Sequence, residues 1–236
     1  KITLPNIVGV NTVGTMWGAT KITHIYFLRG SSAYKSIGNE AFMDCSGLTT
    51  VSLPMSIEAI GDKAFQQCFA LTTINLPGTL KSIGSYAFAG CEDLKNVDIS
   101  SPRVKYGTYA FTGCESLTEF YVNTAVLPEG MFYECEKLET VTIGADVNEI
   151  GEFAFRDTAV SKFIIEDGNK TYKVQTADYI ISEDGNTLYA VSPLMKGEFT
   201  TANIGNNNIT TIGNGAFQYC SSLTSITIPD SVTTIG

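Results

Sequence analysis

The sequence has few charged residues, a single histidine and no cluster of basic side chains. Charged residues make up 17% of the 236 positions, and 15 basic against 24 acidic side chains give a formal net charge of −9. Binding to nucleic-acid phosphates needs concentrated Lys and Arg, so we exclude nucleic acid as a partner. With one histidine, a Ser-His-Asp or Cys-His catalytic site would have to include His24.

The chain also lacks a long apolar segment. A membrane-spanning helix needs about 18 or more consecutive apolar residues, and no such run is present. The N-terminal Lys1-Ile2-Thr3-Leu4-Pro5 has no apolar centre like that of a signal peptide. We therefore expect no membrane insertion of this 236-residue chain. A hydrophobic content of 44% is ample for a core and excludes global disorder.

What the sequence does contain is a repeat of 23 residues. The segment Ile37-Gly38-Asn39-Glu40-Ala41-Phe42 returns at residues 60–65 and 83–88, and further copies begin at residues 106, 127, 150 and 212. In six copies a cysteine stands three residues after the phenylalanine, and a leucine stands three residues further on. A unit of this size cannot bury its apolar face alone, so the units must stack. Stacking lays like residues over like, and we call the resulting rows the phenylalanine column and the cysteine column.

Each unit is interpreted as one short strand plus one short helical turn. Alternating runs that end in proline, such as residues 50–54, predict strands. The polar residues before the Ala-Phe pairs are typical helix N-caps; they are Asn39, Asp62, Ser85, Thr108 and Asn214. The predicted fold class is an α+β repeat, a solenoid of about 23-residue units with nine strand rungs. The strands are predicted near residues 2–4, 25–27, 51–53, 74–76, 97–99, 120–122, 141–143, 163–165 and 226–228.

Residues 166–211 do not follow the repeat. Within them, two alternating runs flank Glu183-Asp184-Gly185-Asn186, and Asp-Gly accepts the positive φ of a tight hairpin turn. We predict a single solenoid over residues 1–236 with a β-hairpin insertion at about 166–211, and we expect both ends of the chain to lie within a repeat. The first unit is degenerate, and aligning residues 16–25 with 154–163 places Trp17 in the phenylalanine column and Thr20 in the cysteine column.

The string Ile-Gly-x-x-Ala-Phe-x-x-Cys-x-x-Leu-Thr-x-Ile-x-Leu-Pro, nearly complete at residues 60–77 and 212–229, resembles the BspA-like leucine-rich repeats. The resemblance is strong over residues 37–165 and 212–236 and weak over 1–36. It implies a secreted or cell-surface protein of a host-associated bacterium that binds a host or cell-surface protein in adhesion. It supplies no catalytic residue and no cofactor. We therefore expect a monomeric, non-enzymatic, extracellular protein-binding module, with a structural spacer or a carbohydrate-binding module as alternatives.

Six cysteines share one register, at positions 45, 68, 91, 114, 135 and 220. A zinc site needs ligands closer together in sequence, with histidine or further cysteine partners, so we predict no metal site. Stacked neighbours could approach closely enough for a disulfide, but five cysteines in consecutive units cannot all pair. We favour six free, buried thiols that act as small hydrophobic side chains.

Function is expected on the side chains that point outward from the strands, because in a solenoid these form one continuous surface. Most of them are small and polar. Tyr26 and Tyr121 differ, since exposed aromatic residues are enriched at protein interfaces, although cross-strand packing explains them equally well. The candidate binding residues are His24, Tyr26, Asp98, Glu119 and Tyr121. The hairpin around Asp184 and Gly185 is a rival surface, because loops on rigid scaffolds often carry binding sites.

Overall fold

The computed structural model describes residues 2–4, 12–14, 16–27, 34–99, 101, 103–174, 179–205 and 207–236. Over these residues the chain is a β-solenoid of about nine turns that contains strands and tight turns but no helix. The expected α+β architecture with helical turns is therefore wrong. A regular turn of the solenoid contributes two strands rather than one, and these strands form two separate parallel stacks.

The long-strand stack is built from the strands that follow the leucine of each unit. Its members are β1 (Ile2–Leu4), β3 (His24–Phe27), β5 (Thr50–Ser52), β7 (Thr73–Leu76), β9 (Asn96–Ile99), β11 (Glu119–Val122), β13 (Thr140–Ile143), β15 (Lys162–Ile165), β19 (Gly197–Phe199) and β21 (Leu223–Ile226). The sequence placed the first eight of these strands to within one residue. The last predicted strand, near 226–228, begins earlier, at Leu223, and β19 was not predicted.

The short-strand stack contains the isoleucine of the Ile-Gly motif. Its members are β2 (Thr12–Val13), β4 (Ser36–Ile37), β6 (Ala59–Ile60), β8 (Ser82–Ile83), β10 (Lys105–Tyr106), β12 (Val126–Leu127), β14 (Glu149–Ile150), β20 (Thr211–Ile212) and β22 (Thr234–Ile235). The sequence analysis missed these strands because two residues are too few to show an alternating pattern. Among the described residues, no ladder joins β9 to β11 or β10 to β12, so both stacks are interrupted at the same step.

The segment that carries the Ala-Phe pair is a series of tight turns because its N–H groups alternate between two kinds of acceptor. Met43 donates within its own unit to Glu40, whereas Phe42 donates to the carbonyl of Ala64 in the next unit at 2.8 Å. An α-helix would send every N–H to the fourth preceding carbonyl. Glu40 and Asp44 have φ angles of 56° and 58°, a left-handed conformation that interrupts a right-handed helix. Hydrogen bonding between units thus replaces the local helix.

The residues expected to be helix N-caps bind across units instead. Asn39 Oδ1 accepts from the N–H of Asp62 at 2.9 Å, and Asp62 Oδ1 accepts from the N–H of Ser85 at 2.8 Å. The motif glycine allows this close approach, since a Cβ placed on Gly84 would lie 2.5 Å from the Asp62 nitrogen. At Gly84, the absence of a Cβ therefore permits the close spacing of the units.

The core consists of stacked columns of like side chains. In the phenylalanine column, the rings of Phe65, Phe88 and Phe111 lie 5.2–5.3 Å apart and nearly parallel. The next ring, Phe132, lies 6.4 Å from Phe111. The ring of Phe120, from β11, contacts both of them at 5.0 and 4.9 Å. Most of the equivalent strand positions carry Val or Ile, so Phe120 is larger than its counterparts. It lies where the ladder between β9 and β11 is missing, the point at which the strand stacks are interrupted.

Within the first unit, the residues of the phenylalanine and cysteine columns are three positions apart, as in the other units, and this corrects the predicted alignment. Met16 O accepts from the thiol of Cys45 at 3.3 Å, as Phe42 O accepts from the cysteine of the following unit. Met16 therefore occupies the phenylalanine column, and Ala19 occupies the cysteine column. The predicted assignments of Trp17 and Thr20 to these columns are wrong by one residue. Trp17 is 64% exposed.

The predicted hairpin forms within residues 166–211. Strands β17 (Tyr179–Ser182) and β18 (Thr187–Val191) are antiparallel, and a preceding strand, β16 (Tyr172–Val174), pairs with β17. The turn is fixed because the Asn186 N–H donates to Asp184 Oδ1 at 3.0 Å. Strand β18 also pairs in parallel with β20, so the hairpin supplies one rung of the short-strand stack.

Candidate functional site

All five predicted binding residues lie on the outward face of the long-strand stack. In β11, Glu119 and Tyr121 are exposed while Phe120 and Val122 are buried, as the alternation of side chains along a strand requires. Asp98 is exposed on β9. His24 and Tyr26 lie on β3 and are both half-buried.

Strand register brings two of these residues into a larger group. The pairing of β11, β13 and β15 places Tyr121, Thr142 and Ile164 in one row. Glu119, Thr140 and Lys162 form the adjacent row. Tyr121 is 44% exposed and Ile164 is 37% exposed. We call Glu119, Tyr121, Lys162 and Ile164 the outward patch; it combines two large apolar side chains with one charge of each sign.

The Tyr121 side chain is held in place from the neighbouring loop. Its hydroxyl donates to Glu166 Oε2 at 3.1 Å, and the same oxygen accepts from the N–H of Ala145 at 3.0 Å. Partial burial raises the pKa of the Tyr121 phenol, and the hydrogen bond to the Glu166 carboxylate raises it further. The hydroxyl therefore stays protonated and keeps donating at neutral pH. An aromatic ring that is ordered in advance loses less entropy when a partner binds.

His24 and Tyr26 form a separate pair far from the outward patch. Their rings are parallel, with an interplanar angle of 7° and centroids 6.0 Å apart. A hollow of about 490 Å³ extends from Tyr26 along β5 and β7 to the exposed side chain of Met55. Strands β5, β7 and β9 separate Tyr26 from Tyr121, which corresponds to roughly 20 Å at the usual strand spacing. Asp98 lies between the two groups, one unit before Glu119.

Sequence reasoning did not select Lys162, Ile164 or Glu166. A signal for Ile164 was present, since an isoleucine stands at an outward position of the alternating run in β15. The contact between Tyr121 and Glu166 joins residues 45 positions apart. Nothing in the repeat pattern indicates that contact.

The cysteine column is structural. All six cysteines are free; five are buried and Cys220 is half-buried. Each of the four thiols from Cys68 to Cys135 donates to the carbonyl of a column phenylalanine in the preceding unit, as Cys91 does to Phe65 at 3.2 Å. Burial raises the pKa of Cys135 to about 12 and that of Cys220 to about 11. These thiols are therefore protonated at neutral pH and are poor nucleophiles and metal ligands.

Two kinds of feature are absent from the described residues. Within the described ranges, no group of three or more His, Cys, Asp or Glu side chains is arranged to hold a metal ion. The same part of the chain contains no helix with the length and apolar character needed to cross a membrane.

Bacterial leucine-rich-repeat proteins are among the solved structures that resemble this chain. A leucine rich cell surface protein from Faecalibacterium prausnitzii A2-165 is 27% identical, with a TM-score of 0.76 over 99% of this chain and 64% of the other. A leucine rich repeat protein of T. pallidum is also 27% identical, with a TM-score of 0.55 over 64% of this chain and 72% of the other. The pneumococcal vaccine antigen PcpA, 22% identical, shares the fold with a TM-score of 0.59 over 98% of this chain and 60% of the other.

The repeat model identifies the family. The BspA type leucine rich repeat region matches in six copies, over residues 18–128, 109–177 and 195–236. The chain therefore belongs to the BspA-type leucine-rich-repeat family. A comparison with curated protein sequences finds no match. The chain spans 64% of the length of the F. prausnitzii protein.

Proposed function

We propose that this chain is the protein-binding module of a secreted or cell-surface adhesion protein, and that it binds a host or cell-surface protein through the outward patch. It acts as a monomer, without catalysis and without a cofactor. The observation that carries the proposal is the placement of Tyr121 and Ile164 in one exposed row of a sheet. Family membership and the cell-surface relative support the location.

The outward patch has the composition of an interface centre. Tyrosine is enriched among residues that dominate binding energy, and such residues are commonly surrounded by polar contacts that exclude water. Tyr121 and Ile164 supply the apolar area, while Glu119 and Lys162 supply opposite charges at its edge. Opposite charges at a rim orient a partner more than they strengthen its binding.

The alternatives have less support on this surface. A carbohydrate-binding module would need two aromatic rings within reach of one sugar chain, but three strands separate Tyr26 from Tyr121. A spacer would need only a solvated face, and the small polar residues of β5 and β7 meet that need. The spacer is therefore the outcome to be tested against binding.

The first test is a binding screen of this chain against host matrix proteins and glycans, followed by Tyr121→Ala. We expect this substitution to weaken the binding of a captured protein by about 2 kcal/mol or more, the usual effect at an aromatic hot spot. Because Tyr121 lies on the outward face and its hydrogen bond to Glu166 is an exposed contact, the free energy of unfolding should change by only about 1 kcal/mol or less. Tyr26→Ala is the matched control, since it removes a tyrosine from the same face outside the outward patch.

A charge reversal at the hairpin, Glu183→Lys, tests the rival surface, because the Glu183 side chain is exposed near the turn. Loss of binding in Glu183→Lys with full binding in Tyr121→Ala would reject the outward patch. Failure of the unmodified chain to bind any protein in the screen would favour the spacer. Binding of a glycan that Tyr26→Ala abolishes would favour the carbohydrate-binding module.

A further inference from the structure

The hydrogen-bond ladder between turns is interrupted after the unit that begins at Ile150. In the five units before it, three N–H groups of every turn donate to carbonyls of the next unit. In the last regular example, Gly130, Phe132 and Glu134 donate at 2.9, 3.1 and 2.9 Å. The equivalent N–H groups of the next turn have no acceptor among the described residues; they belong to Phe153, Phe155 and Asp157.

The interruption arises because the segment after β18 is too short to form the usual turn. Ten positions separate Leu188 from Glu198, whereas thirteen separate their ladder partners Ile212 and Ser225. Between Leu188 and Glu198, two N–H groups donate to the following unit: that of Val191, the last residue of β18, to the Ala216 carbonyl at 2.8 Å, and that of Gly197 to the Ser222 carbonyl at 3.2 Å. The short segment therefore brings no Ala-Phe turn into the layer above Phe155.

The side chains beside the gap indicate its width. In two pairs of stacked units, the side chain at the third motif position accepts directly from the backbone N–H of its neighbour, as Asn39 does from Asp62 and Asp62 does from Ser85. Across the gap, the equivalent contact needs two side chains, Glu152 Oε1 and Asn214 Nδ2, which lie 2.9 Å apart. The gap thus corresponds to about two strand spacings, or roughly 10 Å. One further layer of backbone fits between the unit that contains Glu152 and the unit that contains Asn214.

The gap is a cleft of about 320 Å³, at the lower end of the size range of ligand sites. Its lining includes Ile150, Phe153, Phe155, Tyr189, Ala190 and Gly215. Phe155 is 8% exposed, whereas the column residue before it, Phe132, is fully buried. The cleft therefore combines a row of backbone donors with an aromatic ring that is slightly exposed.

Arg156 adds a further donor to this wall. Its guanidinium lies 4.9 Å from the ring of Tyr133 and 4.5 Å from that of Tyr219, so cation–π contacts hold it across the gap. The Nε atom is buried and makes no hydrogen bond, although it lies 3.5 Å from Asp157 Oδ2. Because this side of the cleft presents hydrogen-bond donors, a complementary ligand must present acceptors such as backbone carbonyls.

We propose that this cleft binds one segment of another polypeptide that adopts the tight turns of a repeat unit and completes the interrupted ladder. Its carbonyls accept from the N–H groups of Phe153, Phe155 and Asp157, and an aromatic side chain of the segment packs against Phe155. As in strand addition, backbone hydrogen bonds at an open edge supply affinity and one side-chain pocket supplies specificity. The cleft is separate from the outward patch and does not depend on the function proposed for it.

The probe is a fluorescein-labelled nonapeptide with the sequence of residues 60–68, carrying Cys68→Ser, because this segment contains the missing Ala-Phe turn. Fluorescence anisotropy measures its binding to the whole chain, and amide hydrogen exchange by NMR measures backbone protection. We expect the amides of Phe153, Phe155 and Asp157 to exchange at least about tenfold faster than those of Phe132 and Glu134, and to become protected when the peptide binds.

Two substitutions test the mode of binding. The peptide with Phe65→Ala should bind roughly 30-fold more weakly, the factor expected on removal of an aromatic anchor. In the protein, Ala190→Trp should fill the cleft and abolish binding. Asn75→Ala, at an exposed position of β7 outside the cleft, is the control and should bind the peptide unchanged.

Three results would overturn the proposal. The first is full protection of the three amides in the free protein. The second is no peptide binding at about 1 mM. The third is equal binding of the peptide with and without its aromatic ring, which decides the question even if Ala190→Trp does not fold.

Discussion

Truncation of Phe88 to alanine tests whether the phenylalanine column stabilises the solenoid. The Phe88 ring is fully buried. It stacks on Phe65 at 5.3 Å with an interplanar angle of 5°, and on Phe111 at 5.2 Å with an angle of 4°. Phe88→Ala therefore removes one stacking partner from each of two neighbouring rings in the middle of the column.

The magnitude follows from two contributions. Loss of the buried apolar surface costs roughly 2–3 kcal/mol. A remaining cavity of roughly 100 Å³, at about 24 cal/mol per Å³, adds about 2 kcal/mol if the neighbours do not collapse into it. Partial collapse reduces that second contribution. We expect Phe88→Ala to lower the free energy of unfolding by about 3–5 kcal/mol, as for other buried phenylalanines.

Trp17→Ala is the matched control, because it removes a larger aromatic side chain from the first described unit. Trp17 is mostly exposed, and its Nε1 donates to Asp44 Oδ2 at 2.7 Å in an exposed contact. A solvent-exposed hydrogen bond contributes about 1 kcal/mol or less. We therefore expect Trp17→Ala to cost about 1 kcal/mol.

Equilibrium urea unfolding followed by far-UV circular dichroism measures both variants, since Trp17→Ala removes the only tryptophan. The dependence of the unfolding free energy on urea should match that of the unmodified chain, which shows that the same surface is exposed on unfolding. Equal destabilisation by Trp17→Ala and Phe88→Ala would refute the assignment of Met16 to the column. A cost below about 1 kcal/mol for Phe88→Ala would refute the column as a source of stability.

Three further predictions concern the thiols and the motif glycine. With a thiol reagent, Cys220 should react first in the native protein and all six cysteines should react after denaturation without reductant, whereas fewer than six would reveal a disulfide. Burial raises the pKa of Cys135 from 9.0 to about 12, so its thiol ionises at lower pH in the unfolded chain than in the folded one. The urea midpoint should therefore decrease as the pH rises from 9 to 12, and it should decrease less steeply in Cys135→Ala. The same dependence of the midpoint on pH in both proteins would contradict this. Gly84→Ala places a Cβ 2.5 Å from the Asp62 nitrogen and should lower the free energy of unfolding in urea by about 1–3 kcal/mol. Gly14→Ala is the control and should not change this free energy, because its Cβ meets nothing within 4 Å. Equal effects of the two substitutions would refute the argument about the spacing of the units.

Much of the architecture could be predicted from the sequence because the same pattern of apolar and polar residues recurs in every unit. A single alternating run such as Thr73-Ile74-Asn75-Leu76 is a weak strand signal, but its return in register fixes the stacking, the columns and the outward face. The same logic placed Glu119 and Tyr121 on that face, since side chains alternate along β11. These are consequences of period and of local pattern.

Only the tertiary structure decided what the polar turns do. The N–H groups of Phe42 and Asp44 could donate to carbonyls of their own unit or of the next unit. Which carbonyls accept depends on the distance between the units. Local propensity at Asn39 suggests a helix cap, yet its side chain serves Asp62. The backbone hydrogen bonds gained by stacking outweigh the helix preference of six residues.

Contacts between distant units were also decided only by the fold. Ile164 joins Tyr121 because β13 lies between their strands in register, and Glu166 holds the tyrosine hydroxyl from 45 positions away. The cleft beside Phe155 exists because the segment after β18 lacks three residues relative to its neighbour. A periodic pattern specifies what repeats, whereas a gap between units depends on how each irregular segment packs in three dimensions.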